Sequence, residues 1–135
     1  MNSEFFEEQD LEHLPGLLGM KVTNVEKGAL TSKMEVSKKH LGIYGYLHAG
    51  TIVTLADTSA GYGCMANLPD GTSGFTTIEL KSNHMSTASE GTIHCSAECI
   101  HSGRTTQIWE SIVTSDVSGK TIAKFTCTQL ILYPK

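Results

Sequence analysis

Charged residues are scarce in this sequence, and they form no long runs. Asp, Glu, Lys and Arg make up 18% of the 135 residues, and no basic run is longer than Lys38–Lys39. Because the formal net charge is −4, nucleic acid and anionic membrane surfaces are unsuitable as main partners. No apolar run approaches the ~18 residues of a membrane span, and the acidic N-terminus lacks the pattern of a secretory signal. We therefore expect a cytoplasmic protein that binds neither nucleic acid nor membranes.

The cysteines also lack an informative spacing. None of the four forms a C-x-x-C pair, and no set of Cys and His residues has the spacing of zinc ligands. We expect buried, reduced thiols, no metal site and no thiol mechanism, because no His is arranged with them in a recognisable motif. These cysteines are Cys64, Cys95, Cys99 and Cys127.

A single carboxylate stands in a long uncharged stretch. Between Leu41 and Pro69 the only charged side chain is Asp57, and residues 48–66 are predicted to form one long, buried helix. Burying a lone carboxylate is costly unless it is paired, hydrogen-bonded or used in chemistry. Asp57 is therefore a candidate catalytic residue. The alternative is a structural Asp whose oxygens are satisfied by backbone or by the hydroxyls of Thr58 and Ser59.

The remaining pattern predicts an α+β fold. A short helix over residues 1–15, ended by Pro15 and Gly16, precedes two strands, and four strands joined by short turns follow the long helix. Short turns favour antiparallel neighbours, so we expect one domain, 1–135, in which an antiparallel sheet wraps around the long central helix. The predicted strands cover about residues 20–26, 30–37, 75–81, 92–101, 104–116 and 122–133.

The segment LHAGTIVTLADTSAGYGC resembles the start of the central helix in hotdog-fold thioesterases. It is most similar to the phenylacetic acid degradation branch of the 4-hydroxybenzoyl-CoA thioesterase superfamily, in which His-Gly-Gly is followed by an acid nine positions after the His. Here these are His48 and Asp57, with Ala49 in place of the middle Gly. The segments GFTTIELKSNHM, HSGRTTQIWESIVTSDVSGKTIA and TCTQLIL also resemble this family.

The resemblance implies a hotdog fold, a homodimer at least and often a homotetramer, active sites at the dimer interface, and acyl-CoA substrates without a separate cofactor. Asp57 would act as general base or nucleophile. Thr77 would position the lytic water; because only one of Thr77 and its neighbour Thr76 can face the site, Thr77 is favoured, and the alternative is a threonine that only suits a strand. The backbone N–H groups of Ala49 and Gly50, at the positive end of the helix, would form the oxyanion hole. His48 would either contact the thioester or cap the loop.

A second site follows from the turn HSGRT. His101, Gly103, Arg104 and Thr105 resemble the family's turn that contacts CoA. A guanidinium such as that of Arg104 can bind phosphate bidentately, and Gly103 lets backbone approach it. The alternative is an ordinary hairpin whose charges are solvated.

Two positions depart from the family pattern. Many relatives carry Asn or Gln six residues before the His and Ser or Thr four residues after the acid, whereas this chain has Gly42 and Gly61. Either a nearby polar side chain replaces the missing group, or turnover is modest. The replacement candidates are His40, Tyr44, Tyr46 and Thr58. Ala60, Gly61 and Gly63 would leave room for a bulky aryl or branched acyl group.

The sequence thus predicts an acyl-CoA thioesterase. A hotdog dehydratase is disfavoured, because its acid lies further from the His and follows a Pro-rich motif that is missing here. A non-catalytic hotdog domain that binds acyl-CoA as a sensor, or serves only in assembly, remains the alternative.

Overall fold

Six strands form one antiparallel sheet, and the longest helix contacts every one of them. The computed structural model describes all residues from Met1 to Lys135. The helices are α1 (Ser3–Asp10), α2 (Leu14–Leu18) and α3 (Ala49–Ala66), with a 3₁₀ turn at Lys38–His40. The strands are β1 (Lys21–Glu26), β2 (Ala29–Glu35), β3 (Gly74–His84), β4 (Thr92–Ser102), β5 (Thr106–Ser115) and β6 (Thr121–Leu132). The predicted α+β class and the sheet around a central helix are confirmed.

Helix α3 matches its predicted bounds within one residue, with His48 as its N-cap. It is buried on one face rather than all round, because Asp57, Thr58 and Gly61 keep part of their surface accessible. Neither this helix nor another is long and apolar enough to span a membrane. The buried face of α3 comprises Thr51, Ile52, Leu55, Ala56, Ser59, Ala60, Gly63 and Cys64.

Strands β2, β4, β5 and β6 alternate over most of their length between buried and accessible side chains, as predicted, whereas β3, which was also expected to alternate, is exposed along most of its length. In β5 every second residue from Gln107 to Ser115 is buried, and Trp109 is completely enclosed. In β6 the alternation holds from Phe125 to Ile131. Three of these inward residues, Gln107, Ser111 and Gln129, are polar and have no exposed surface.

The expectation that consecutive strands joined by short turns are neighbours is wrong for β3. The order is β1-β2-β4-β5-β6-β3, so β3 pairs with β6 rather than with β4. The segment 85–91 crosses the sheet, and its backbone bonds to Ile122, Leu47 and Val36 on the way. Consequently β3 is an edge strand whose outer edge has no partner, and most of its residues are exposed.

The N-terminal prediction of one helix over residues 1–15 is wrong. Helix α1 ends at Asp10, and Pro15 lies in the first turn of α2, where a missing N–H costs nothing. Gly19, with φ of +79°, ends α2 in the left-handed region that glycine tolerates. Phe6 stacks on Tyr62 of α3, and the Tyr62 hydroxyl donates a hydrogen bond to Asp10, so α1 is fixed against the central helix.

Candidate active site

The start of α3 has one free backbone donor. The Gly50 N–H donates to His48 Nδ1 at 2.8 Å, and the Thr51 N–H donates to the His48 carbonyl at 2.9 Å. The Ala49 N–H, at the first helical position, has no partner in the chain. A Cβ at Gly50 would lie 2.9 Å from His48 Nδ1, so glycine is what lets the imidazole cap the helix. His48 therefore caps, and Ala49 presents the available N–H.

Hydrogen bonds to His40 anchor the start of α3. Its carbonyl accepts from the His48 N–H at 3.0 Å and from the Thr51 hydroxyl at 2.9 Å. Its ring accepts from the Ser37 N–H through Nδ1 at 3.0 Å and donates through Nε2 to the Leu18 carbonyl at 2.6 Å. Because both ring nitrogens are occupied and the residue is buried, His40 cannot supply the polar group that Gly42 lacks.

Asp57 is half-buried in the middle of α3, and its Oδ1 is enclosed without a hydrogen-bond partner. Desolvation raises the pKa of this carboxyl above its ordinary value. No cation neutralises it, since the only ion pair of the chain joins Lys124 to Glu110. The Ser59 hydroxyl bonds instead to the Leu55 carbonyl and to another serine. The contacts of Asp57 therefore do not support the alternative hypothesis that it is a structural residue whose oxygens are hydrogen-bonded within the chain.

The inner face of β6 and β3 lies opposite this carboxylate. Burial, and then the charge of nearby Asp57, raise the pKa of Cys127 to about 12. Two residues along β6, Gln129 is fully buried and accepts a hydrogen bond from the Thr77 hydroxyl at 2.6 Å. A bulge follows Thr77 in β3, between Thr77 and Glu79. Sequence reasoning missed Gln129, although a polar side chain at an inward position of an apolar alternation was a usable signal.

The four thiols are free, and three of them are buried, as predicted. No disulfide is present, and Cys64, Cys95 and Cys127 are buried while Cys99 is half-buried. Burial raises the pKa of all four, to about 12 for Cys64 and Cys127. Such thiols stay protonated near neutral pH, which disfavours nucleophilic attack. No three His, Cys, Asp or Glu side chains lie close enough to share a metal ion.

Hydrogen bonds to backbone carbonyls order the turn between β4 and β5. The guanidinium of Arg104 in this turn forms no ion pair. The Thr105 carbonyl accepts from the Ile131 N–H at 2.8 Å, and the Arg104 carbonyl accepts from the Tyr133 hydroxyl at 2.5 Å. The exposed Arg104 guanidinium lies over the Tyr133 ring at 5.6 Å and has no acidic partner. His101 is also exposed, and a Cβ at Gly103 would lie 3.1 Å from its Nε2.

A single chain does not bring the predicted site residues together. Eight residues separate Ala49 from Asp57 on one helix, which corresponds to a rise of about 12 Å. The β4–β5 turn lies at the other end of this 18-residue helix, where Gln107 donates to the carbonyl of Asn67, about 27 Å from the Ala49 end.

The expected space along α3 is largely filled. A Cβ at Gly63 would lie 2.5 Å from the Trp109 ring, and Ala60 is completely buried, so neither leaves room for an acyl group. A Cβ at Gly61 would be 3.4 Å from the Phe75 ring, an ordinary contact. The predicted room is therefore confined to the surface near Gly61. Among the remaining candidates for the polar group, Tyr44 and Tyr46 are exposed and Thr58 is half-buried.

A Gly42 side chain would point toward the helix start. A Cβ at this position would lie 4.0 Å from the His48 ring and 3.8 Å from the Tyr46 carbonyl. The carboxamide that many relatives carry there would thus adjoin the His48 cap.

Comparison with known proteins agrees with this architecture. Residues 44–122 match the model of the thioesterase superfamily. A 1,4-dihydroxy-2-naphthoyl-CoA hydrolase of Listeria monocytogenes is 33% identical over 111 residues, which cover 82% of this chain and 89% of that protein. The enzyme of the same name from Escherichia coli is 27% identical over 123 residues, covering 89% and 87%. A mutant thioesterase from Pseudomonas aeruginosa superposes with a TM-score of 0.91 at 23% identity, covering 98% of this chain and 94% of that one. The chain therefore belongs to the thioesterase superfamily, with the hotdog fold, and is a thioester hydrolase.

Proposed function

We propose that this protein is an acyl-CoA thioesterase of the phenylacetic acid degradation branch and that Asp57 is its catalytic carboxylate. The observation that carries the proposal is the Asp57 carboxylate itself, whose enclosed Oδ1 has no partner and no neighbouring cation. A desolvated carboxylate with a raised pKa is a stronger base than an exposed one. The relative from Listeria monocytogenes, named as the hydrolase of an aryl-CoA thioester, supports CoA esters as the substrate class.

The proposed site is shared between two copies of the chain. A thioester carbon must lie within about 3–3.5 Å of its attacking oxygen, and the oxyanion at a similar distance from its donor. The rise of about 12 Å between Ala49 and Asp57 on one helix is too long for both to serve one carbonyl. The Asp57 of one copy would therefore act with the Ala49 N–H of another.

The surface that supports this pairing is the outer edge of β3. This strand has unpaired backbone groups along its full length, and such edges are templates for another strand. It also exposes Ile78 and Leu80, which are 57% and 47% accessible in the single chain. A homodimer joined along β3 would cover these side chains and add a strand partner to Thr77. A homotetramer built from such dimers is the further assembly that we propose.

In the proposed reaction, Asp57 takes a proton from a water molecule while the water oxygen attacks the thioester carbon. The Ala49 N–H stabilises the oxyanion, and its position at the positive end of α3 adds to that effect. When the C–S bond breaks, the proton held by Asp57 returns to the departing CoA thiolate. Gly50 keeps its N–H on His48, so it supports the helix start, and Arg104 binds CoA phosphate with its turn.

Asp57 can also act as the nucleophile, forming an anhydride that water then hydrolyses. A single turnover in ¹⁸O-water separates the two routes. Label in the Asp57 peptide establishes the anhydride, whereas label only in the released acid indicates direct attack by water provided that mass spectrometry of the quenched enzyme detects no acylated Asp57.

The test of the whole proposal is thiol release from short, medium and aryl acyl-CoAs by wild type, Asp57→Asn and Asp10→Asn. Asp10 is a matched control, because it is also a buried carboxyl with a raised pKa, yet it bonds to Tyr62 beside α1. We expect Asp57→Asn to lose ~10³-fold or more in kcat and Asp10→Asn to keep the wild-type rate. Full activity in Asp57→Asn refutes the proposed site. Acyl-CoA binding without hydrolysis by wild type favours the non-catalytic alternative.

A further inference from the structure

We propose that Gln129 is a positioning residue that fixes the direction of hydrogen bonding at Thr77 and thereby orients the lytic water. This inference rests on the proposed function. It follows from a chain of hydrogen bonds that reaches from Thr77, an exposed residue of the edge strand β3, through the buried Gln129 to the wall beside Asp57.

The chain begins at a cross-strand pair. Thr77 and Gln129 are directly opposite each other in the β3–β6 ladder, and the Thr77 hydroxyl donates to Gln129 Oε1 at 2.6 Å. Gln129 Nε2 donates in turn to Cys127 Sγ at 3.5 Å. After burial, the charge of Asp57 contributes to raising the pKa of Cys127, so the far end of the chain is within electrostatic range of the carboxylate.

The burial and hydrogen bonds of Gln129 indicate a specific polar role rather than general packing. Its side chain has no exposed surface, and a buried carboxamide is expensive unless its oxygen and nitrogen both have partners. Its cross-strand neighbour Gln107 is equally buried, but it accepts from the Trp109 indole N–H at 2.8 Å and donates to the Asn67 carbonyl at 3.0 Å. Gln107 is thus fully engaged elsewhere, and Gln129 alone contacts Thr77.

The hydrogen bond to Gln129 fixes the direction of the single proton of the Thr77 hydroxyl. A hydroxyl has one proton and two lone pairs. Because Gln129 Oε1 takes the proton of Thr77, the hydroxyl oxygen can only accept from a water molecule. That water must then direct one O–H to Thr77 and the other to the Asp57 carboxylate. Its lone pairs are left facing the thioester carbon, which is the orientation needed for attack.

The bulge after Thr77 fits this role. The register shift between Thr77 and Glu79 inserts one extra residue into β3, and bulges redirect neighbouring side chains. Thr77 keeps its pairing with Gln129 on one side of the irregularity, whereas Glu79 resumes the ladder with Thr128 on the other.

The experiment compares Gln129→Met with Gln107→Met. Both replace a buried glutamine by an apolar side chain of similar length on neighbouring strands, so their effects on folding are comparable. We expect Gln129→Met to lower kcat roughly 10- to 100-fold, since small misplacements at a reacting centre have effects of this size, with KM unchanged within about twofold. Gln107→Met should lower Tm without lowering the kcat of the folded protein. Equal losses of kcat in the two variants overturn the inference.

A double mutant separates positioning from structure. If Gln129 acts only through Thr77, then Gln129→Met adds nothing to the loss in kcat caused by Thr77→Val, because residues that act as a unit are non-additive. Multiplied losses in the double mutant overturn the inference.

Further comparisons separate misfolding, failure of the positioning role and failure of the proposed function. If Gln129→Met does not fold, Gln129→Asn serves instead, because its shorter side chain stays polar while withdrawing the acceptor from Thr77. If Thr77→Val retains the wild-type kcat while Asp57→Asn is inactive, the positioning role fails and the proposed function stands. If Asp57→Asn is fully active, the proposed function itself has failed.

Discussion

Replacing Ala49 by proline would remove one hydrogen atom from the proposed oxyanion hole and little else. Ala49 is the first residue of α3, its N–H has no partner in the chain, and proline is well accommodated at this position. The preceding residue, His48, already has φ of −63° and ψ of 136°, the extended conformation that a residue before proline requires. The substitution should therefore leave folding almost unchanged.

The expected effect on catalysis is large by comparison. Removing one oxyanion-hole donor typically costs ~10²–10³ in kcat, or about 2.7–4 kcal/mol of transition-state stabilisation. We expect Ala49→Pro to lose activity on this scale in a steady-state thiol-release assay, while its Tm stays within a few degrees of wild type. Ala49→Ser, which keeps the N–H, is the control and should retain the wild-type kcat. An Ala49→Pro variant with full kcat refutes the role of this backbone group.

The same variant tests whether the site is shared between copies. A co-refolded mixture of Ala49→Pro and Asp57→Asn chains contains heterodimers in which one site combines the intact Asp57 of one copy with the intact Ala49 of the other. With random pairing, about half of the dimers are mixed and one of their two sites is intact, so roughly a quarter of wild-type activity should return. Two inactive variants that stay inactive after co-refolding, although mixed dimers are detected by mass spectrometry, would exclude the shared site.

Four substitutions test the structure around the site. Gly63→Ala places a Cβ 2.5 Å from the enclosed Trp109 ring, so we expect the free energy of unfolding to fall by about 1–2 kcal/mol after the helical preference for Ala is included. Gly61→Ala, whose Cβ meets Phe75 at 3.4 Å, should instead gain up to ~1 kcal/mol, and equal losses in the two urea titrations would contradict this packing. Because folding raises the pKa of Asp57, stability attributable to this group falls as pH rises from its ordinary pKa through the raised value. Asp57→Asn should thus be more stable than wild type at pH 7, and the difference should shrink as pH falls and vanish well below the ordinary Asp pKa, where the carboxyl is protonated in both the folded and the unfolded chain; a constant difference would argue against a desolvated carboxylate. Ile78→Lys, at an exposed position of β3, should yield monomers by light scattering, and an unchanged mass would place the interface elsewhere.

Local patterns in the sequence predicted the elements that carry the site. Small and apolar residues between His48 and Ala66 specified α3, and the isolated carboxylate in that stretch drew attention to Asp57. The alternation of apolar residues likewise located β2 and β4 to β6. These predictions succeeded because helical and strand periodicities are properties of neighbouring residues.

Non-local pairing was beyond such patterns. The seven residues after β3 are as short a connection as many hairpins, yet they cross the sheet because β3 pairs with β6. Similarly, nothing local revealed that Pro15 starts a helix rather than ending one. The hydrogen bond between Gly50 and His48 was also unforeseen, since the rotamer of a capping side chain depends on the loop that His40 anchors.

Three groups of hydrogen-bonding atoms in the single chain have no partner. They lie on α3 and β3, which a second copy of the chain could contact at the same time. The Ala49 N–H lacks an acceptor, Asp57 Oδ1 lacks a donor, and the outer edge of β3 lacks a strand. The first two are too far apart on α3 to serve one substrate, so substrate alone does not account for them. A second copy paired along β3 would cover the edge and align the donor of each helix with the acid of the other. On this argument, dimerisation and catalysis should be lost together in Ile78→Lys, whereas Asp57→Asn should lose catalysis and remain a dimer.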